Sequence, residues 1–278
     1  MGNVCSDGKE KKLPKAVTSS QYEMEHGEEN RYEQQQQQQQ QKEDPQGVPT
    51  GVTEPKKSPL LSLLQVARKH TLTFDNSQTV DFSKHDYRAF CLLIHSERNT
   101  AVLLHCTRKK KKPPHYQLPG GHVDGHEFQE ITVTMDSPMV TQEQLYLAAR
   151  IGCAREVYEE TTIDLRDQLV SLLPLVLYSP AEQSKNHLIN EYKQRLFFCC
   201  EVSDKDFPAS SPRGSVRYAT LPQNHSCNLM LQLSVEHSGF RFEQSASKIV
   251  EELQYHSGGK VSQAVDMAFR VAASSSSS

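Results

Sequence analysis

The run Gln34 to Gln41 lies within residues 1 to about 56, a stretch almost empty of core-forming side chains. "EMEHGEEN" precedes the run and "KEDPQGVPTGVTEPKK" follows it. A segment of this kind buries too little apolar surface to offset backbone entropy, and it reads as disordered. Any core is thereby confined to roughly 215 residues between this arm and a terminal run of serines, enough for one folded unit. The chain as a whole has 278 residues, of which 36% are hydrophobic. The expected division is an arm over 1–56, a folded domain over 57–271 and a frayed tail over 272–278.

A net charge of −3 gives no general case for nucleic-acid binding. The one basic run, "RKKKK" at Arg108 to Lys112, precedes Pro113 and Pro114. It is either a solvated loop or a rim that steers phosphate, with Lys110 and Lys112 as the candidate contacts. Seven cysteines occur without a Cys-x-x-Cys pair. Cys199 and Cys200 sit in an apolar run and read as core, a pattern that suits a reducing compartment and gives no support to a zinc site. No apolar stretch is long enough for a spanning helix.

The opening "MGNVCS" changes the membrane expectation. Gly2 and Ser6 complete the acceptor pattern for N-myristoylation, and Cys5 offers a palmitoylation site beside it. One acyl chain binds bilayers marginally and two bind stably. Lys9, Lys11, Lys12 and Lys15 add attraction to anionic lipid, offset in part by Asp7 and Glu10. The expectation is a lipid-anchored protein at the cytoplasmic face of a membrane, with the arm as its tether; without acylation it would be cytoplasmic.

Within the folded part, "YRAFCLLIH" (87–95) and "TAVLLHC" (100–106) are β-rich runs joined by "SERN". Further β-like runs are "SLLPLVLY" (171–178) and "RLFFCCEV" (195–202). Thr141 with Gln144 makes a capping-box start, after which Leu147, Ile151, Ala154 and Tyr158 recur with helical spacing. "SKIVEELQYH", Gly258-Gly259 and "KVSQAVDMAFRVA" read as helix, turn, helix, placing C-terminal helices over 245–271. Strands with a helix between them and helices at the end predict an α/β fold, a mixed sheet sandwiched by helices.

The chemistry concentrates in two places. "LPGGHVDGHE" (118–127) turns through Gly120 and Gly121, and "REVYEETT" (155–162) puts Glu156, Glu159 and Glu160 on one helix face. Three close carboxylates repel, and a Mg²⁺ or Mn²⁺ ion would compensate them, since hard cations favour carboxylate oxygen. The bland alternative is a charged, solvated helix.

Together these residues resemble the Nudix box, Gly-x5-Glu-x7-Arg-Glu-U-x-Glu-Glu-x-Gly-U, with U a bulky aliphatic residue. Gly121 and Glu127 match its first part; Arg155, Glu156, Val157, Glu159, Glu160 and Ile163 match the second. The resemblance, over roughly Asp86 to Phe269, implies an α/β/α sandwich that hydrolyses a nucleoside diphosphate linked to another group. It implies Glu159 and Glu160 as metal ligands, Glu156 as third ligand or base, the Gly120 carbonyl as a further ligand, and Arg155 as orienter of the carboxylates. Two departures stand out. Between Glu127 and Arg155 lie 27 residues, so about 20 are inserted, over 128–144, as an extra loop or hairpin. Thr162 stands where the motif has a helix-ending Gly, so the helix either runs on or ends differently.

"FFCCEVSDKDF" and "LQLSVEHSGFRF" further resemble late strands of the asymmetrical diadenosine-tetraphosphate hydrolases within that family. That likeness implies Glu236 as an additional ligand or base and Phe240 or Phe242 as a platform for a purine, against a core role for both rings. Gly121 would approach the phosphates. The competing substrate is a diphosphoinositol polyphosphate, and the competing class is a catalytically weak, membrane-tethered binding module.

Overall fold

The structure, a computed structural model, describes residues 58–84, 86–107, 113–131, 138–175, 195–208, 217–220 and 229–275. All belong to a compact unit running Pro55–Ser278. Its centre is the parallel pair β2 (Arg88–His95) and β8 (Arg195–Val202), in register from Arg88↔Arg195 to His95↔Val202. Both runs are apolar almost throughout because both faces of the sheet are covered, as parallel strands require. Ala89, Cys91 and Leu93 enter one buried cluster, and Phe90, Leu92 and Ile94 enter another.

Around that pair the sheet is mixed. β3 (Thr100–Cys106) lies antiparallel to β2, and β11 (His237–Glu243) antiparallel to β3; β7 (Leu173–Pro174) lies on β8. β4 (His115–Gln117) adds to β3 and β5 (Gly120–His122) adds to β2, making seven strands among the described residues. A separate antiparallel pair joins β9 (Arg217–Thr220) and β10 (Met230–Leu233).

One face is covered by α3 (Gln142–Thr161), which starts as expected: the Thr141 hydroxyl accepts the Gln144 N–H at 3.2 Å, and the Gln144 side chain accepts the Thr141 N–H at 2.9 Å. Its buried side differs from the expected stripe. Leu147 and Tyr158 are exposed, Tyr158 with its ring under the Arg166 guanidinium at 3.9 Å. Ala154 of that stripe is buried as expected, and Leu145, Ala148, Ala149, Gly152, Cys153 and Val157 are buried with it; the small ones among them let the helix lie close to the sheet. The helix ends at Thr162, which takes the left-handed conformation itself (φ 61°, ψ 7°) and donates its N–H to the Tyr158 carbonyl at 2.7 Å.

The other face is covered by α1 (Pro59–Lys69), α4 (Ala246–Glu252) and α5 (Lys260–Ser275). The C-terminal helices thus form half of the sandwich. α1 is not among the elements expected from the sequence, although Pro59 at its first position, Leu60, Leu63, Leu64 and Ala67 on one face, and Arg68 and Lys69 in its last turn are ordinary helix signals. α5 continues past residue 271 because Ala272 falls on its buried stripe, so the expected tail begins too early.

One other expectation is corrected. Of the run 171–178, Leu173–Pro174 forms strand after a 3₁₀ turn over Leu169–Ser171; residues beyond 175 lie outside the described set. Within 128–144, expected as an extra loop or hairpin, β6 (Met139–Thr141) pairs with β1 (Thr79–Asp81), Val80 opposite Val140, and residues 132–137 lie outside the described set. Phe128, from α2 (Gly125–Glu130), stacks on Phe82 at 4.3 Å, so this segment anchors the stretch before β2.

Candidate functional site

The site is built where β5 meets α3. Gly120 has φ +137°, and a Cβ there would lie 2.2 Å from the Ala89 carbonyl oxygen, so only glycine permits this approach to β2. Its N–H donates to Glu160 Oε2 at 2.9 Å. A Cβ on Gly121 would lie 2.4 Å from the carboxyl carbon of Glu156. Gly120 and Gly121, expected as a turn, instead belong to β5, and that strand is the surface against which two glutamates of α3 lie.

Arg155 holds the rest together. Its Nε donates to Glu127 Oε1 at 2.7 Å, and one terminal nitrogen donates to Glu156 Oε1 at 3.1 Å and Glu159 Oε2 at 3.2 Å. The other donates to the His122 carbonyl and to Asp124 Oδ2, each at 3.1 Å. Glu127 is fully buried; it also accepts the Asp124 N–H, and Gly152 leaves room for it, since a Cβ there would sit 3.4 Å from its carboxyl carbon. The long spacer between Glu127 and Arg155 thus loops away without separating them. Burial works against the Arg155 charge, but the hydrogen bond to Glu127 and the field of Glu156 outweigh it and hold the guanidinium protonated above its usual range. Burial raises the Glu156 carboxyl, Arg155 opposing and Glu159 reinforcing the shift.

A cleft of about 750 Å³ opens on this face, lined by Gly120, Gly121, Glu156, Glu159, Glu160 and Glu236 among others. Glu236 reaches it, exposed, from the turn between β10 and β11. Phe240 does not line it: alternation along β11 sends Phe240 into the core beside Phe242, ring centroids 5.7 Å apart, so its expected part in substrate binding is corrected to packing. Lys110, Lys112, Gly2 and Cys5 lie outside the described residues.

Two cleft-lining arginines, Arg88 and Arg195, were not expected from the sequence, and behind Glu160, outside the lining, is a histidine whose expected role is local hydrogen bonding. Buried His237 shares its Nδ1 with the Ser234 hydroxyl at 2.9 Å, accepts at Nε2 from the Gln117 amide at 2.5 Å, and stands 3.8 Å from Glu160 Oε1. Arg88 and Arg195 open β2 and β8 and line the cleft. A charged residue immediately before a long apolar run was the available signal.

Glu156, Glu159 and Glu160 share the cleft, yet their oxygens do not converge. The groups whose ligand atoms lie within 4.8 Å of one another, among the described residues, are His95–Glu97–Asp204 and Asp124–His126–Glu127. Each of these already contains a guanidinium partner: Arg98 on Asp204, Arg155 on Asp124 and Glu127. A cation there would compete with a charge already in place. Glu156 and Glu159 carry Arg155 as well, but with Glu160 and Glu236 they line the open cleft, where four carboxylates against one guanidinium leave oxygen donors of the kind a hard divalent ion takes.

No protein-family model matches the chain, and no curated protein matches it. Among solved structures, a Nudix hydrolase from Nitrosomonas europaea matches 67% of this chain and 89% of its own length at 12% identity, with a TM-score of 0.34. The MutT protein from Methanosarcina mazei Go1 matches 67% of this chain and 94% of its own at 15% identity and a TM-score of 0.30. The E. coli dihydroneopterin triphosphate pyrophosphohydrolase matches 66% and 94% at 15% identity and 0.33. At this level of identity and superposition, the reading of the site rests on this chain's own residues.

Proposed function

We propose that this chain is a divalent-metal-dependent hydrolase of a diphosphate linkage in a nucleoside diphosphate derivative, and that its substrate is a dinucleoside polyphosphate such as diadenosine tetraphosphate. The observation that carries the reading is Arg155, which binds Glu127, Glu156 and Glu159 at once beside the Gly120–Gly121 start of β5 on an open cleft. A helix that was merely solvated would not need a fully buried glutamate to orient its arginine. Glu156, Glu159, Glu160 and Glu236 would hold Mg²⁺ or Mn²⁺, and the cation supplies positive charge against the oxygens where charge builds during substitution at phosphorus. Arg155 orients the carboxylates, Gly121 leaves room for the Glu156 carboxylate, and the Gly120 N–H keeps Glu160 in place. Glu156, raised by burial, is either the third ligand of the cation or the group that receives a proton from the attacking water.

Incubation of the full chain and Mg²⁺ with diadenosine tetraphosphate, ADP-ribose, nucleoside triphosphates and diphosphoinositol pentakisphosphate tests this. ATP plus AMP from the first compound, lost in Glu159→Gln with the fold intact, is the expected result. Cleavage of the inositol compound alone would replace the substrate, and silence with both metals would leave a binding module. We also propose membrane attachment through acylation of Gly2 and Cys5, read from the N-terminal pattern. Labelling with clickable myristate, absent in Gly2→Ala, is its test; no label on the unaltered chain would remove it.

A further inference from the structure

The acidic face accounts for one wall of the cleft, and the opposite charge on another wall has no part in that account. Arg88 and Arg195 are the first residues of two parallel strands paired without offset, Arg88↔Arg195, and His122 of β5 lies opposite Arg88. Neighbouring strands are about 4.8 Å apart, so the three side chains form one cross-strand row. All three line the cleft that Glu156, Glu159, Glu160 and Glu236 line.

The members of the row differ in what compensates them. Arg88 donates to Asp86 Oδ2 through Nε at 3.3 Å and a terminal nitrogen at 3.2 Å, and that nitrogen lies 2.8 Å from His122 Nε2. Asp86 Oδ1 in turn lies 3.1 Å from His122 Nε2. Arg195 has no carboxylate partner among the described residues, and its Nε is buried with no acceptor. The guanidinium as a whole is only half-buried, and its strand position fixes it at the cleft, where an anion can meet it.

We infer that Arg195, with Arg88 beside it, is an anion subsite for a phosphate beyond the cleaved linkage, so that the substrate carries a chain of three or more phosphates. The inference rests on the hydrolase reading above. The cleft then carries both kinds of charge: carboxylates from α3 and the β10–β11 turn, and guanidiniums from the strand starts. A diphosphate whose two phosphates sit against the carboxylates, through cations, leaves Arg195 unsatisfied. A longer chain reaches it, and planar guanidinium forks on adjacent strands suit phosphate oxygens.

Calorimetric titration of the full chain with inorganic pyrophosphate and inorganic tripolyphosphate, in Ca²⁺ buffer, tests the subsite apart from turnover. The unaltered chain is expected to bind tripolyphosphate roughly 10-fold or more tightly than pyrophosphate, the value of one charge-assisted contact. Arg195→Ala is expected to bring the two affinities to within about threefold, and Arg195→Lys to restore part of the preference. An unaltered chain without preference, or an Arg195→Ala chain that keeps it, would overturn the inference. The first comparison needs no variant, so a misfolded Arg195→Ala does not remove the test. Chain-length preference without hydrolysis of any anhydride would retain the subsite and remove the hydrolase reading.

Discussion

Replacing Arg155 by Met keeps an unbranched stem and removes the charge that compensates Glu127. Glu127 is fully buried, while the Arg155 side chain keeps 22% of its surface. Removing one partner of a buried pair costs about 3–5 kcal/mol, because the other charge is left in a poorly polarisable site. Water can enter where Arg155 stood, and the Asp124 N–H still serves Glu127, which puts the loss near the low end, about 3 kcal/mol. For a unit of this size that lowers Tm by roughly 6–12 °C. Glu127→Gln retains shape and one acceptor, and Arg155 keeps Glu156, Glu159 and Asp124, so its cost is about 1.5 kcal/mol. With Gln at 127, losing Arg155 no longer strands a charge, and the double variant should fall short of the sum by about 1–2 kcal/mol. Urea unfolding of the four metal-free proteins, followed by circular dichroism, measures each corner. Additivity within about 0.5 kcal/mol would refute the view that the two residues act as one buried pair.

Gly121→Ala should displace the Glu156 carboxylate, 2.4 Å from the new methyl, and lower kcat about 10-fold or more while Tm moves by a few degrees at most, since a side-chain end can yield. Thr162→Gly should raise stability by about 0.5 kcal/mol in the same urea assay, relief of left-handed strain outweighing the entropy of glycine. Asp164 is held down to about 2 by its hydrogen bonds to Arg166. Its folded carboxyl lies below the ordinary 3.8, so its contribution is present above pH 3.8 and is lost as pH falls towards 2. The difference in Tm between the unaltered chain and Asp164→Asn should therefore shrink over that range; a gap that grows on acidification would contradict the assignment.

Local rules carried much of the fold. β3 and β8 have the ends their apolar runs suggest, α3 starts at its capping box, and Glu156, Glu159 and Glu160 share a cleft because helix geometry leaves them no other arrangement. These features depend on residues within a turn or two of one another, and backbone periodicity sets them before any tertiary contact forms. What lay beyond that range did not show. Leu147 and Tyr158 had helical spacing, yet which side of α3 faces the sheet depends on how closely its small residues let it approach. Phe240 and Glu236 belong to one short segment; the strand's register sent one into the core and left the other at the cleft.

The residues that most define the site were visible one at a time and not as a set. Sequence by itself determined that a glutamate face and strongly apolar strands exist, and it marked Gly120 and Gly121 without showing that they form strand β5. Tertiary structure alone decided that Glu127 meets Arg155 across a long spacer, and that parallel pairing of β2 and β8 sets Arg88 beside Arg195. The physical reason is that sheet register and layer packing are cooperative properties of the whole chain, whereas periodicity and capping are settled within a few residues.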